Sequence, residues 1–291
     1  MMKTALSIIQ AVRYKMNLSA PSTLITLTDP DELQMLHTLY TICEELRAAR
    51  CWPQLKRKHS FSTVDTQASY QLAPDFYSPL LATHYNETDD GRLIGPESDE
   101  TFSNMTVMGD STINYSYRIF GRDENSASAA GQLVLLPTPS AVQTVSYEYL
   151  TRSFFLPQNW TASTSYGANA YVNASGNIYQ KPTGTATSGT VVPSHTTGAV
   201  TDGTITWTYI SAPYETIIAD TDLVVFDDDL IKLGLRAEWN EDHSGEGQIA
   251  RQRYEERINQ AVARYKGPYR GNMCGKAPSS RYTTQYKSWS L

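Results

Sequence analysis

The spacing of apolar residues changes period twice along this chain, from helical to alternating and back to helical. Near the start, Ala5, Ile8, Ile9, Val12 and Met16 recur on one helical face, with Thr4 placed to cap it. A second helix is predicted over 31–50, opened by Asp29-Pro30, with Leu33, Leu36, Tyr40, Cys43 and Leu46 as its stripe; Trp52-Pro53 ends it. From Lys56 the period becomes two. Phe61 and Val64, then Tyr70 and Leu72, read as a hairpin about a turn at Thr66-Gln67-Ala68, closed by Ala73-Pro74-Asp75-Phe76. Further strands are predicted over 80–85, 115–119, 133–136 and 144–150, separated by turn-rich segments such as Asp89-Asp90-Gly91. Helical spacing returns after Asp220-Thr221-Asp222 and the apolar run 223–226. Asp227-Asp228-Asp229 heads a helix carrying Leu230, Leu233, Leu235, Ala237 and Trp239. A last helix over 247–265 turns Ile249, Ile258, Ala261, Val262 and Tyr265 inward, and Arg251, Arg253, Glu255, Glu256 and Arg257 outward.

These periods predict an α+β protein. Terminal helices from 1–55 and 214–266 form a helical bundle around a central β-rich, sandwich-like region at 56–156. Charge separates one stretch from the rest. The chain has 291 residues with 24 Lys+Arg against 30 Asp+Glu, yet from 157 to 213 the charged side chains are Lys181 and Asp202 alone. In their place stand Thr, Ser and Gly clusters with Trp160, Tyr166, Tyr171, Tyr179, Trp207 and Tyr209. So sharp a shift marks 157–213 as a small all-β module inserted in a loop of the host. Beyond it, 267–291 is an extended tail with Arg270, Lys276, Arg281 and Lys287, no acidic residue, and Tyr269, Tyr282, Tyr286 and Trp289. A net charge of -6 argues against a general nucleic-acid binder, and no run approaches the roughly 20 apolar residues of a membrane span.

The opening residues imitate a signal peptide, but Gln10, Arg13 and Lys15 interrupt the apolar core, so they read as a helix of the mature protein. Three cysteines (Cys43, Cys51 and Cys274) without metal spacing are expected as reduced thiols of a chain folded in a cytoplasm. Six Asn-x-Ser/Thr matches, Asn86 and Asn159 among them, read as coincidence in so Thr/Ser-rich a chain.

Chemistry-bearing motifs are sparse. There is no phosphate-binding or dinucleotide loop, no nucleophile elbow, no His-Glu-x-x-His and no Cys-x-x-Cys. His37, His59, His84, His195 and His243 are scattered singly and are expected on surfaces or helix faces. Asp227, Asp228 and Asp229 are better explained by the helix dipole than by a metal. No catalytic residue, cofactor or metal ligand is therefore assigned, and a structural role is expected. The basic, aromatic tail without helical periodicity reads either as a disordered end or as a segment that orders on a partner.

Four stretches resemble the head-to-tail adaptor, or connector, proteins of tailed bacteriophages. They are Thr4 to Val12 with the helix ending Glu44-Glu45-Leu46-Arg47 and Cys51-Trp52-Pro53-Gln54-Leu55; Phe61-Ser62-Thr63-Val64 through Tyr70 to Phe76; Leu135-Leu136-Pro137-Thr138-Pro139-Ser140 with Val145 to Tyr149; and Asp220-Thr221-Asp222 through Leu230 to Leu235 and the last helix. The resemblance implies a non-enzymatic virion protein of the neck, assembled in the host bacterial cytoplasm. It implies a homo-oligomeric ring, usually a dodecamer, that joins the portal protein to a distal tail or nozzle protein and lets genomic DNA pass without sequence reading. Its C-terminal segment reaches the portal, which here assigns docking to Tyr269, Arg270, Arg281, Tyr282, Tyr286, Lys287 and Trp289. The module, from Trp160-Thr161-Ala162-Ser163-Thr164-Ser165-Tyr166 to Trp207-Thr208-Tyr209, resembles carbohydrate-binding and decoration modules of phage proteins. That suggests a surface-glycan platform at Trp160, Tyr166, Tyr179 and Trp207, although so small a module needs the same aromatics for its own core. The alternative function is a carbohydrate-binding tail or cell-wall-recognition protein acting through the module.

Overall fold

The computed structural model describes residues 2–49, 51–108, 114–120, 131–210, 214–243 and 247–265, and it is mixed α+β. Helix α1 (Ala5–Lys15) starts as expected, with the Thr4 hydroxyl accepting the Ser7 N–H at 3.2 Å. Helix α2 (Pro30–Ala49) ends where Trp52 Nε1 donates to the Leu46 carbonyl at 2.7 Å, which satisfies one of the acceptors a helix end leaves open. Its buried face is Met35, Leu39, Ile42, Cys43 and Leu46, turned from the predicted stripe so that Leu33 is exposed and Leu36 and Tyr40 lie at the flank. The helix has apolar side chains on two overlapping stripes, and the packing partner, not the pattern, selects between them.

Strands follow in the middle of the chain: β1 (Lys56–Ser62), β2 (Ser69–Gln71), β3 (Phe76–Pro79), β4 (Tyr85–Asn86) and β5 (Gly91–Arg92). Then come helix α3 (Asp99–Met108) and β6 (Ser116–Phe120), β7 (Gln132–Leu136), β8 (Thr144–Thr151) and β9 (Phe155–Leu156). β8 is the hub of one antiparallel sheet, with β1 along one edge and β3 and β4 sharing the other; β2, β7 and β6 form a second. Val145, Tyr147 and Tyr149 of the first sheet share an apolar layer with Tyr117, Leu133 and Leu135 of the second. The predicted hairpin about Thr66 is therefore corrected. The turn exists, held by the Tyr70 hydroxyl donating to the Gln67 carbonyl at 2.6 Å, but its two arms enter different sheets because each finds a longer partner in β8 or β7. Of the strand predicted at 80–85, only Tyr85 is in a strand. Helix α3 was not predicted; its signal was the Ser98 hydroxyl, which accepts the Thr101 N–H at 3.1 Å, with Asp99 and Glu100 in the first turn.

The module contributes β10 (Ser165–Tyr166), β11 (Tyr171–Ala174), β12 (Asn177–Gln180), β13 (Ala186–Thr187), β14 (Ala199–Asp202) and β15 (Ile205–Ile210). These strands pair with one another in the order β11-β12-β15-β14 and as the pair β10-β13, and Asn173 of β11 also bridges Asn159. Ser175 and Gly176, both at positive φ, make the tight turn between β11 and β12. Strand β16 (Leu223–Val224) then pairs with β9, so the chain returns beside the point where it left.

Helices α4 (Asp228–His243) and α5 (Gly247–Tyr265) complete the fold, and α4 packs against α1, α2 and α5. Asp227 Oδ1 accepts the Asp229 N–H at 2.9 Å, and Asp228 and Asp229 lie in the first turn of α4, where the helix dipole favours acidic residues as expected. Gly234 sits where a Cβ would lie 3.1 Å from both Ile42 and Tyr254, so a side chain would wedge α4 away from α2 and α5. On α5 Ala261 is buried as expected, whereas the expected inward Ile249 is exposed and Tyr254, not assigned inward, is buried. The stripe that meets the core is Ala250, Tyr254, Ile258 and Ala261 with Val262, and Ile249 lies off it. Cys43 is a free, buried thiol as expected, and Cys274 lies outside the described residues.

His84 corrects the expectation of surface histidines. It is buried between the sheets, stacked on Tyr117 with centroids 4.1 Å apart and on Tyr147 at 5.3 Å, and its Nδ1 pairs with the Tyr117 hydroxyl at 3.0 Å. Burial, assisted by Arg92, lowers its pKa to about 4. The unfolded chain takes up a proton near the ordinary histidine value, which the folded chain refuses until about pH 4, so stability is lost as pH falls through that window. The expected loss from this residue is about 2 kcal/mol between pH 7 and pH 5. Denaturant titrations at the two pH values should show that part of the loss disappearing in His84→Phe. Separately, Gly234→Val should destabilise the protein by about 1–3 kcal/mol by overpacking, measured as a shift in the urea midpoint.

Candidate assembly surfaces

The module leaves and re-enters the host at a polar joint. Glu215 accepts from Arg47 Nη1 at 2.7 Å and from Arg152 Nη2 at 3.0 Å, and Arg47 also donates to the Arg152 carbonyl at 2.9 Å. Arg47 comes from α2, Arg152 follows β8, and Glu215 is on the returning strand of chain. The Arg47 guanidinium lies 4.6 Å from the Tyr77 ring and 5.1 Å from the Phe154 ring, so it is held by aromatic faces as well as by charge. Close by, Ser153 Oγ accepts the Tyr214 N–H at 2.8 Å. The buried Asp222 accepts from the Tyr214 hydroxyl at 2.8 Å and from the Ile218 and Ala219 N–H groups at 2.7 and 2.9 Å. Burial raises the Asp222 pKa, and those three donors oppose the rise. Together these contacts fix the segment 214–222 against the helical core.

Within the module, the proposed glycan platform is corrected. Tyr166, Tyr179 and Trp207 are 4%, 0% and 0% exposed, and Trp160 is partly buried against the same cluster. A sugar stacks on an open ring face, and these rings face one another, with Tyr166 edge-on to Trp207 at 5.2 Å. The core reading wins because a unit of this size has few other large apolar side chains. The two charges of the module are also inside. Lys181 Nζ donates to the Thr183 and Gly184 carbonyls, and Asp202 lies against Gly189, where a Cβ would meet its carboxylate at 2.2 Å. Glycine at 189 is what admits the aspartate. The surface of the described module consequently carries no formal charge.

Two further features lie on the host. A groove of about 610 Å³ on the outer side of the β8 sheet is lined by Lys58, Tyr85, Glu87, Asp90 and Glu148 among others, and Lys58 pairs with Glu87 at 2.6 Å. At the head of α4, Asp227, Asp228 and Asp229 are close enough to share an ion, but Lys3, Lys232 and Arg257 lie 2.7 to 3.9 Å from their carboxylates and supply opposing charge. The docking residues Tyr269, Arg270, Arg281, Tyr282, Tyr286, Lys287 and Trp289 lie outside the described residues. No helix among the described residues is long and apolar enough to cross a membrane.

A helical core stitched to paired sheets, with its organised contacts at joints, is the architecture against which the comparison with known families is set. The family model described as SU10 adaptor protein matches residues 3–181, more than half of the chain, and the chain belongs to that family. It is accordingly a phage structural adaptor and a component of the virion. The match runs through the N-terminal helices and both host sheets and extends into the module as far as Lys181. No curated protein matches the sequence.

Loss of the Glu215 carboxylate leaves two partly buried guanidinium groups without their shared partner. Glu215→Ala should lower stability by about 2 kcal/mol, read as a fall in thermal midpoint, and Arg47→Ala combined with it should cost less than the two single changes added together.

Proposed function

We propose that this protein is a head-to-tail adaptor whose copies form a ring between the portal and the distal tail, with a central passage for DNA. The observation that carries this reading is the adaptor family match across both the helical and the β parts of the host. In this reading residues 1–55 and 214–266 act as one helical bundle, 56–156 as a sandwich-like distal part, 157–213 as an inserted module, and 267–291 as the segment that docks on the portal. The α4 contacts with α1, α2 and α5 support the bundle, and the apolar layer between the two host sheets supports the sandwich.

In this reading the role is structural and not enzymatic, in keeping with an adaptor family and with side chains such as Glu215, Asp222 and Asp227 that act in pairing and capping. A net charge of -6 suits a passage that must not retain phosphate. The alternative of carbohydrate recognition through the module is not favoured, because three of its four platform rings are buried.

Negative-stain electron microscopy of the purified protein, alone and with portal, should give rings of uniform diameter. Truncation after Tyr265 should abolish portal binding while leaving the circular dichroism spectrum close to that of the full chain. Unchanged portal binding by the truncated protein would remove 267–291 from the docking role.

A further inference from the structure

We infer that, in the unassembled protein, the groove on the outer side of the β8 sheet holds the basic segment 267–291 of the same copy. The inference rests on the docking reading above and deepens it, by placing the segment before the portal is met.

The lining of the groove defines the chemistry of its occupant. Glu87, Asp90 and Glu148 bring three carboxylates against one cation, Lys58. Lys58 is taken by Glu87, which also accepts from the Ser146 hydroxyl at 2.7 Å. The carboxylates of Asp90 and Glu148 have neither an ion pair nor a hydrogen bond among the described residues. Lys56 and Arg57 precede Lys58 on β1 but do not line the groove. Tyr85, 46% exposed, adds an open ring. Two unanswered carboxylates beside an aromatic face suit a peptide rich in lysine, arginine and aromatic side chains, because a guanidinium pairs with the first and stacks on the second.

Charge selects one such peptide. The segment 267–291 holds four of the chain's 24 Lys+Arg and none of its 30 Asp+Glu, which leaves residues 1–266 with 20 against 30, a charge of -10. Tyr269, Tyr282, Tyr286 and Trp289 are interleaved with Arg270, Lys276, Arg281 and Lys287, so cation and ring recur together as the groove requires.

Reach and tethering favour this segment over a free peptide. Helix α5 ends at Tyr265, and the residues beyond it span roughly 85 Å at full extension. A body of this size has a radius of gyration of about 18 Å, so the groove lies within reach. A tethered segment meets it at an effective concentration on the order of millimolar, which a free ligand would have to exceed. Exposed charge pairs are individually weak and are screened by salt, so the contact opens readily. A segment that is later handed to another protein needs such a contact.

Limited trypsin digestion of the full-length protein tests this, because trypsin cuts after Arg270, Lys276, Arg281 and Lys287. The comparison is with the double variant Asp90→Asn, Glu148→Gln, which removes both unanswered charges at nearly constant size; asparagine also tolerates the positive φ of residue 90. Its circular dichroism spectrum should match the parent. At low salt the segment should be cut roughly fivefold more slowly in the parent than in the variant, since cleavage follows the open population. In the parent alone, cleavage relative to a free peptide of the same sequence should speed up as salt rises. Equal cleavage of parent and variant at low salt, or a parent rate indifferent to salt, would overturn the inference and leave portal docking standing. Protection that fades on dilution would assign the segment to the groove of a second copy and overturn the same-copy contact. Protection in the parent and its loss in the variant, together with portal binding that survives truncation after Tyr265, would support the groove contact and overturn the docking reading.

Discussion

One carboxylate joins the parts of this fold. Glu215 sits where α2, the end of β8 and the segment returning from the module converge, and it is shared by Arg47 and Arg152. These three residues are far apart in sequence, and the same elements also meet through the Ser153–Tyr214 hydrogen bond and a shared apolar core. A charge at such a point is costly to desolvate, and it is tolerated because both carboxylate oxygens are engaged and Arg47 is further cushioned by Tyr77 and Phe154. The helical core, the β8 sheet and the base of the module then have one arrangement in which all charges are answered. That gives a structural protein directional contacts at a junction where apolar packing alone would permit sliding.

What the sequence made legible follows from how local each signal is. Helix starts at Thr4 and Asp227 were readable because a cap is a bond between neighbours, and β6, β7 and β8 were readable as alternating runs. Which face of α2 is buried was not, since Leu33 and Met35 are equally apolar and only α4, some two hundred residues later, chooses between them. The false hairpin about Thr66 failed for the same reason. Two adjacent strands and a good turn predict local pairing, but β8 offers β1 seven paired positions, far more than β2 could. The burial of His84 was invisible because its partners, Tyr117 and Tyr147, come from distant strands.

The module shows how function-like composition arises from stability alone. Aromatic residues spaced among Thr and Gly look like a ligand platform, yet a unit this small must spend its large side chains on its own interior. Trp207, Tyr179 and Tyr166 do so. The informative residues are instead the two charged ones, whose burial could not be read from the chain. Lys181 is held by backbone carbonyls of its own loop, and Asp202 fits against a glycine.

The pairing of β9 with β16 holds the two ends of the excursion together. Leu156 stands opposite Leu223, and Tyr214 follows Phe155 closely enough for a backbone hydrogen bond of 3.3 Å. The two ends of the excursion are thus neighbours across one ladder, at the roughly 5 Å spacing of paired strands. The ladder thus closes the host on itself across the excursion, and Ile178, Tyr171 and Ile210 of the excursion pack back on the helical core beside that closure.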